Sequence, residues 1–186
     1  MAACGPMEAT YRPEAWHDVF IVIGTSAGTL VGLLFIVISL HIERISERTD
    51  YNMRATIDGA RYNTIHLLTV LLEAVVVLAP QPLAVAGAEL IALNVFGLRG
   101  PLFFSYRYLD KHIAISPRGG FPAGLILTIT LAYLLGIAGG VAVFRHMDWS
   151  LYLVAVSCLV KIVRAVLTAW MLMFGMIQSR PPRMDR

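Results

Sequence analysis

The chain has 186 residues, of which 58% are hydrophobic and 15% are charged, and its formal net charge is +3. This composition is typical of an integral membrane protein rather than a soluble one, and the small net charge gives no reason to expect nucleic acid as a partner. The length suits about five membrane-spanning helices with short connections. We therefore predict an all-α fold with a single transmembrane domain over residues 1–186.

The first predicted span covers about residues 19–40, with Trp16 and His17 at its membrane interface. It carries three glycines at intervals of four, Gly24, Gly28 and Gly32. Small residues at this spacing form helix-packing seams, because they let two helix backbones approach closely in lipid. The seam has two interpretations: packing within the chain, or a face turned toward another subunit or a pore.

Residues 41–61 form the most charged part of the chain, and they are predicted to be a cytosolic connection. Asp50 and Arg54 lie four residues apart, a spacing that stabilises helices. A helix extending beyond the membrane is therefore expected within this segment.

The second and third spans, about residues 62–79 and 83–98, contain Glu73 and Glu89. The intervening sequence Pro80-Gln81-Pro82 breaks the helix, because proline lacks the backbone donor that a helix interior needs. A tight hairpin at this point places the two carboxylates at similar depth. The third span is close to the minimum length for crossing a bilayer, which leaves a re-entrant segment as an alternative.

Residues 99–120 form a second basic connection, also predicted to be cytosolic. Its apolar side chains repeat with helical spacing, which predicts a short helix lying in the lipid headgroups; they are Leu102, Tyr106, Leu109 and Ile113. Alternatively, Phe103 and Phe104 end the third span. The fourth span, about residues 121–144, has a further small-residue face formed by Gly136 and Gly140.

The fifth span, about residues 150–178, carries a polar stripe. Ser157, Lys161, Arg164 and Thr168 lie at positions i, i+4, i+7 and i+11, which is one face of an α-helix. Each cation inside a membrane costs at least about 2.5 kcal/mol unless it meets a partner or water. The stripe is therefore expected to face protein or solvent rather than lipid.

The acids of the hairpin and the bases of the fifth span suggest a buried charge network of Glu73, Glu89, Lys161 and Arg164. Two acids and two bases in a small bundle neutralise each other. The network has two interpretations. It fixes the packing of the helices, or it lines a pathway for ions or protons.

Arginines follow the first and third spans and are frequent in the C-terminal tail, whereas the Pro80 hairpin has no basic residue. Because basic residues accumulate on the cytoplasmic side, we predict an outer N-terminus and a cytoplasmic C-terminus. His17, Asp18, His146 and Asp148 then share the outer side. Imidazole and carboxylate groups are metal ligands or parts of pH-sensing gates, but here they also fit polar residues at an interface.

Motifs of common enzymes, such as HExxH, GxSxG and the phosphate-binding loop, do not occur in the sequence. We therefore expect neither an enzymatic activity nor a cofactor.

The first span resembles that of small bacterial integral membrane proteins of unassigned function. The residues that carry the resemblance are Trp16-His17-Asp18, Gly24, Gly32-Leu33-Leu34-Phe35-Ile36 and Ser39. The resemblance implies a multi-pass protein of the bacterial inner membrane, and it implies no activity.

Two functions are consistent with these features. The leading hypothesis is a small homo-oligomeric channel or transporter for ions, with the lipid bilayer, further copies of the chain and a small ion as its partners. The alternative is a scaffold or accessory subunit that transports nothing and binds partners through its basic cytosolic loops.

Overall fold

The computed structural model describes residues 13–47, 51–110 and 123–178, and every regular element in these ranges is helical. A short 3-10 turn, Pro13–Trp16, leads into the first of five α-helices. The helices are α1 (His17–Glu47), α2 (Tyr51–Leu78), α3 (Leu83–Asp110), α4 (Ala123–Phe144) and α5 (Ser150–Gln178). The all-α prediction is thereby confirmed.

Each of the five helices contains a stretch long and apolar enough to cross a membrane. These stretches are His17–Ser39, Arg61–Leu78, Leu83–Leu102, Ile126–Phe144 and Ser150–Trp170. Each stretch overlaps the corresponding predicted span, and the helices α4 and α5 cover residues 123–144 and 150–178. Large apolar side chains such as Phe35 point outward, as expected of a protein surrounded by lipid rather than water.

The helices continue into both segments that were predicted to be connections. α1 extends to Glu47 and α2 begins at Tyr51, so that most of residues 41–61 is helical. α3 passes through Pro101 to Asp110 as one helix. The predicted separate helix after the third span is therefore wrong within the described residues, and Ile113 lies outside them.

Packing explains why α3 does not end near Leu98. Gly100 lies so close to the Tyr62 ring of α2 that an added Cβ would be 2.8 Å from it, and Pro101 is buried. This contact on α2 supports the helix where Pro101 removes a backbone hydrogen bond. A single helix of 28 residues also has the length to cross a bilayer completely, which favours a full span over a re-entrant one.

Four of the helices enclose a common centre. α2 packs on α3, α3 on α4, α4 on α5, and α5 back on α2. α1 lies outside this ring and packs on α2 and α5. The interior of the ring is therefore lined by one face of each of α2, α3, α4 and α5, and this placement determines which polar residues meet.

The contact between α3 and α4 is the most extensive in the bundle. It depends on Gly87 and Gly140, which lie against each other's backbone. A Cβ at Gly87 would lie 2.9 Å from the Gly140 carbonyl oxygen, and one at Gly140 would lie 3.1 Å from that of Gly87. Because backbone atoms cannot move aside as a side chain can, both positions require glycine at this helix separation.

Candidate functional site

The polar stripe of α5 turns toward the centre of the bundle. Ser157 and Lys161 are completely buried, Thr168 is nearly so, and Arg164 is half-buried. The Ser157 hydroxyl donates a 2.7 Å hydrogen bond to the Ala132 carbonyl of α4. Thr168 donates to the Arg164 carbonyl of its own helix at 2.9 Å.

Lys161 forms an ion pair with Glu73 of α2 at the centre of the ring. The Lys161 Nζ lies 2.6 Å from Glu73 Oε1, and neither side chain has any exposed surface. Nζ also donates to Asn94 Oδ1 of α3 at 2.7 Å. The ammonium lies 4.5 Å from the centroid of the Tyr133 ring of α4, a separation typical of a cation–π contact. Each helix of the ring thus contributes at least one side chain to this cluster.

The remaining polar atoms of the cluster also have partners. The Cys158 thiol donates a 3.0 Å hydrogen bond to Glu73 Oε2, the oxygen that Lys161 does not bind. Asn94 Nδ2 donates to the Leu90 carbonyl of its own helix at 2.8 Å. Burial of a charge is costly unless it is paired and hydrogen-bonded, and both conditions are met here. We call Glu73, Asn94, Tyr133, Cys158 and Lys161 the central cluster.

Two glycines provide the space that the central cluster occupies. A Cβ at Gly136 of α4 would overlap the amide of Asn94, and a Cβ at Gly97 of α3 would overlap the ring of Tyr133. The side chains of α3 and α4 therefore reach Lys161 only because the opposite helix has no side chain at these two positions.

A polar connection leads from the central cluster toward one end of the bundle. The Tyr133 hydroxyl lies 2.7 Å from His66 Nδ1 of α2. His66 is only half-buried, whereas Tyr133 is fully buried. Near this end, Asn63 Nδ2 donates to the Ala165 carbonyl at 2.9 Å and so joins α2 to α5.

A cavity of about 370 Å³ lies at the opposite end, beside the Pro80 hairpin. Its wall is mainly apolar, and its polar side chains are His17 and Gln81. Leu90 and Leu151 also line it, and both are buried. Leu90 precedes Asn94 by four residues, which is about one helical turn or ~6 Å along α3. The central cluster therefore lies between the cavity and His66.

Of the four residues predicted to form a charge network, Glu73 and Lys161 are brought into contact. Glu89 is exposed and accepts a 2.9 Å hydrogen bond from Gln81 Nε2, so its inclusion in a buried network is wrong. The hairpin argument concerned only the depth of the two acids, and depth does not fix the direction in which a side chain points. Asn94, five residues further along α3, faces the interior instead of Glu89.

The predicted glycine seams lie mostly within the chain. Gly24 faces α2, where an added Cβ would lie 3.1 Å from the Ala74 Cβ, and Gly28 is farther from α2. Gly32 is exposed, with nothing within 4 Å of an added Cβ. Gly136 and Gly140 face α3, as described above. On α1 the close contact is therefore restricted to the end near Gly24.

The predicted metal candidates are all exposed, namely His17, Asp18, His146 and Asp148. Among the residues with described positions, no group of three or more His, Cys, Asp or Glu side chains is placed to hold a metal ion. His146 has instead a backbone role. It adopts a positive φ of 56°, and the bonds His146 N–Val143 O and Met147 N–Ala142 O end α4 as a Schellman motif.

The sequence interpretation assigned no role to Asn94, Tyr133, Cys158 or His66. For α2, a signal was present: Asn63, His66 and Glu73 recur at helical spacing on one face. Cys158 and Tyr133 gave no such signal, because buried cysteine and tyrosine are ordinary components of an apolar helix interior.

Comparison with protein-family models, curated proteins and solved structures finds no match for this chain. The resemblance of the first span to small bacterial membrane proteins therefore stays a prediction.

Proposed function

We propose that this protein is a multi-pass membrane protein that moves ions across the bilayer through the ring formed by α2, α3, α4 and α5. One observation carries the proposal: the Glu73–Lys161 pair is fully buried inside helices suited to span a membrane. Ionisable residues in such positions are rare because they are costly, and they commonly mark the pathways of ions or protons.

The surroundings of the pair support a transport site that is closed at its centre. The cavity approaches it from the Pro80 hairpin, and His66 approaches it from the other end. A central site with an access route on each side is the arrangement that alternating access requires. In this scheme the apolar residues between the cavity and Glu73, such as Leu90, form the closed gate.

The pathway lies within one copy of the chain in this proposal, because the polar stripe of α5 faces its own bundle. We further propose a homo-oligomer, with copies in contact through their outer apolar surfaces, and a location in the bacterial inner membrane. The N-terminus is outside and the C-terminus is cytoplasmic, in accord with the distribution of arginines. We propose no enzymatic activity.

A second candidate function is favoured because the charges of the central cluster are paired and its polar groups are hydrogen-bonded. Glu73 and Lys161 neutralise each other, and both have further hydrogen-bond partners. A pair of this kind can serve to fix the packing of the helices. The protein is then a scaffold or accessory subunit whose partners bind the basic segments at residues 41–61 and 99–120.

The two functions differ in a flux measurement. The purified chain is reconstituted into liposomes, and the fluxes of K⁺, Na⁺, Cl⁻ and H⁺ are compared with those of empty liposomes. Native mass spectrometry gives the oligomeric state of the same sample. Flux of any of these ions above the empty control supports transport. Absence of all four fluxes from correctly folded protein contradicts transport and favours the scaffold.

A further inference from the structure

We propose that the ion moved by this protein is the proton, and that Lys161 and Glu73 carry it through the closed centre of the bundle. This inference rests on the proposed transport function and specifies its substrate. It depends on which chemical groups surround the pair and on which of their atoms are already occupied.

A metal cation has no free site at the centre. Such an ion needs several oxygen ligands. Two of the oxygens in the central cluster, Glu73 Oε1 and Asn94 Oδ1, lie 2.6 and 2.7 Å from Lys161 Nζ. Glu73 Oε2 accepts a hydrogen bond from Cys158, and the Tyr133 hydroxyl is hydrogen-bonded to His66. The lysine ammonium therefore occupies the position that a monovalent cation would take between these oxygens.

An anion is equally disfavoured at this position. The charge of Lys161 is matched by Glu73 at 2.6 Å. An anion that approached the ammonium would also approach the carboxylate, and repulsion between like charges is strong where water is excluded. The pair thus excludes small ions of both signs while it remains intact.

A proton needs no free space, because it moves along hydrogen bonds. In the first step the Nζ–H bond of Lys161 breaks and an O–H bond forms on Glu73 Oε1. The ion pair becomes a neutral amine and a neutral carboxylic acid, so that neither side chain carries a buried charge. The hydrogen bond that this step requires is present, at 2.6 Å.

The second step restores the pair. Glu73 releases its proton toward the cavity, whose wall begins at Val76, about one helical turn (~5 Å) further along α2. The neutral Lys161 amine turns from Glu73 toward the Tyr133 hydroxyl and takes a proton from it. His66 donates a different proton from Nδ1 to Tyr133 along their 2.7 Å hydrogen bond, and it takes up one proton on Nε2 from the solution at its end of the bundle. One proton has then passed from the His66 end to the cavity, and all groups have their original charges.

The test uses the full chain in liposomes that contain a pH-sensitive dye, with a K⁺ gradient and valinomycin to set the membrane potential. The expected result is acidification driven by the potential in wild-type liposomes and its loss to the level of empty liposomes in Glu73→Gln. Glu89→Gln is the matched control, because it changes an exposed carboxylate in the neighbouring helix. We expect its proton flux to equal that of the wild type.

Two further variants keep the test decisive if Glu73→Gln fails to fold. Glu73→Gln/Lys161→Met removes both charges together, so that no unpaired charge is buried, and it is expected to fold and to transport no protons. Tyr133→Phe keeps the ring beside Lys161 but removes the hydroxyl, and it is expected to slow proton flux. Circular dichroism and gel filtration in detergent establish that each variant is folded.

The outcomes separate this inference from the proposed function. Proton flux that persists in the folded double variant overturns the inference, as does flux of K⁺, Na⁺ or Cl⁻ without proton flux; the transport function survives in both cases. Absence of every flux from wild-type protein overturns the inference and the transport function together. Loss of proton flux in the double variant, with flux retained in Glu89→Gln, supports both.

Discussion

At the scale of single residues, the least expected feature is that Lys161 is stabilised by side chains from three other helices. Its ammonium contacts Glu73 of α2, Asn94 of α3 and the Tyr133 ring of α4. A lysine that is buried without such contacts loses its hydration and gains nothing in return. The central cluster is therefore a condition for the packing of α5 against the other helices, whatever its function.

Removal of one member of the ion pair is expected to destabilise the protein more than removal of both. Lys161→Met leaves the Glu73 carboxylate buried without its cation, which costs about 3–5 kcal/mol of unfolding free energy. The double variant Glu73→Gln/Lys161→Met is expected to recover most of this loss. Unfolding of the purified protein in detergent measures both values. If the double variant is as unstable as Lys161→Met, the unpaired charge is not the cause.

Gly136→Ala is expected to disturb the central cluster without a change of charge. The new Cβ overlaps the Asn94 amide, so Asn94 has to move and its bond to Lys161 is lost or lengthened. Overpacking of this kind costs about 1–3 kcal/mol. The control is Gly32→Ala, where an added Cβ meets nothing within 4 Å.

Thermal unfolding distinguishes the two glycine variants. Gly32 is exposed on a helix, and glycine is a poor helix former. Gly32→Ala is therefore expected to leave the stability of the protein unchanged or to raise it by up to about 1 kcal/mol. Equal melting temperatures for Gly136→Ala and Gly32→Ala would show that Asn94 is not held as the structure indicates.

At the scale of elements, the helices could be predicted well and their ends less well. Apolar length located all five candidate spans, because a bilayer requires about 20 apolar residues per helix. The expected continuation of helix into residues 41–61 is present in α1 and α2, whereas the predicted end of the third span was wrong because α3 passes Pro101. Hydropathy reports where lipid ends, whereas the end of a helix depends on capping and packing.

The turn between α4 and α5 shows such a cap. His146 has a left-handed backbone conformation, which costs a residue with a side chain about 1–2 kcal/mol relative to glycine. His146→Gly is therefore expected to stabilise the protein by about 0.5–1 kcal/mol, after allowance for the greater chain entropy of unfolded glycine. Thermal unfolding measures the gain.

Arg145→Gly is the control for the His146 prediction. Arg145 precedes the left-handed residue and does not share its positive φ, so glycine brings no relief of strain there. We expect this variant to be less stable than wild type by up to about 1 kcal/mol. Stabilisation of both variants would refute the assignment of the effect to the backbone of His146.

At the scale of the whole molecule, the organising feature is the ring of α2, α3, α4 and α5, with α1 on its outside. Consecutive helices are neighbours in this ring, and it closes through contacts between α2 and α5. The closure brings Glu73 and Lys161 together, although 88 residues separate them in the chain. The cavity and His66 then lie at opposite ends of the same enclosed core.

An odd number of full crossings puts the two termini on opposite sides of the membrane. We expect a C-terminal green fluorescent protein fusion to be fluorescent and a C-terminal alkaline phosphatase fusion to be inactive, as for a cytoplasmic terminus. Alkaline phosphatase fused at Gln81, in the hairpin between α2 and α3, is expected to be active. The reverse pattern would show that the orientation is the opposite of the one proposed. Active alkaline phosphatase both at Gln81 and at the C-terminus would contradict five full spans.

From the amino-acid sequence one could predict a helical chain with five candidate spans and a polar face on α5 that needs partners. These properties depend on local composition and on the cost of charge in hydrocarbon, so they can be read from neighbouring residues. The contact of Lys161 with Glu73 rather than Glu89 could not be predicted in this way, nor could the presence of Asn94, Tyr133 and Cys158 in the cluster. These contacts depend on how each helix is rotated and on the space left at Gly97 and Gly136, and both are set by packing between helices distant in the chain.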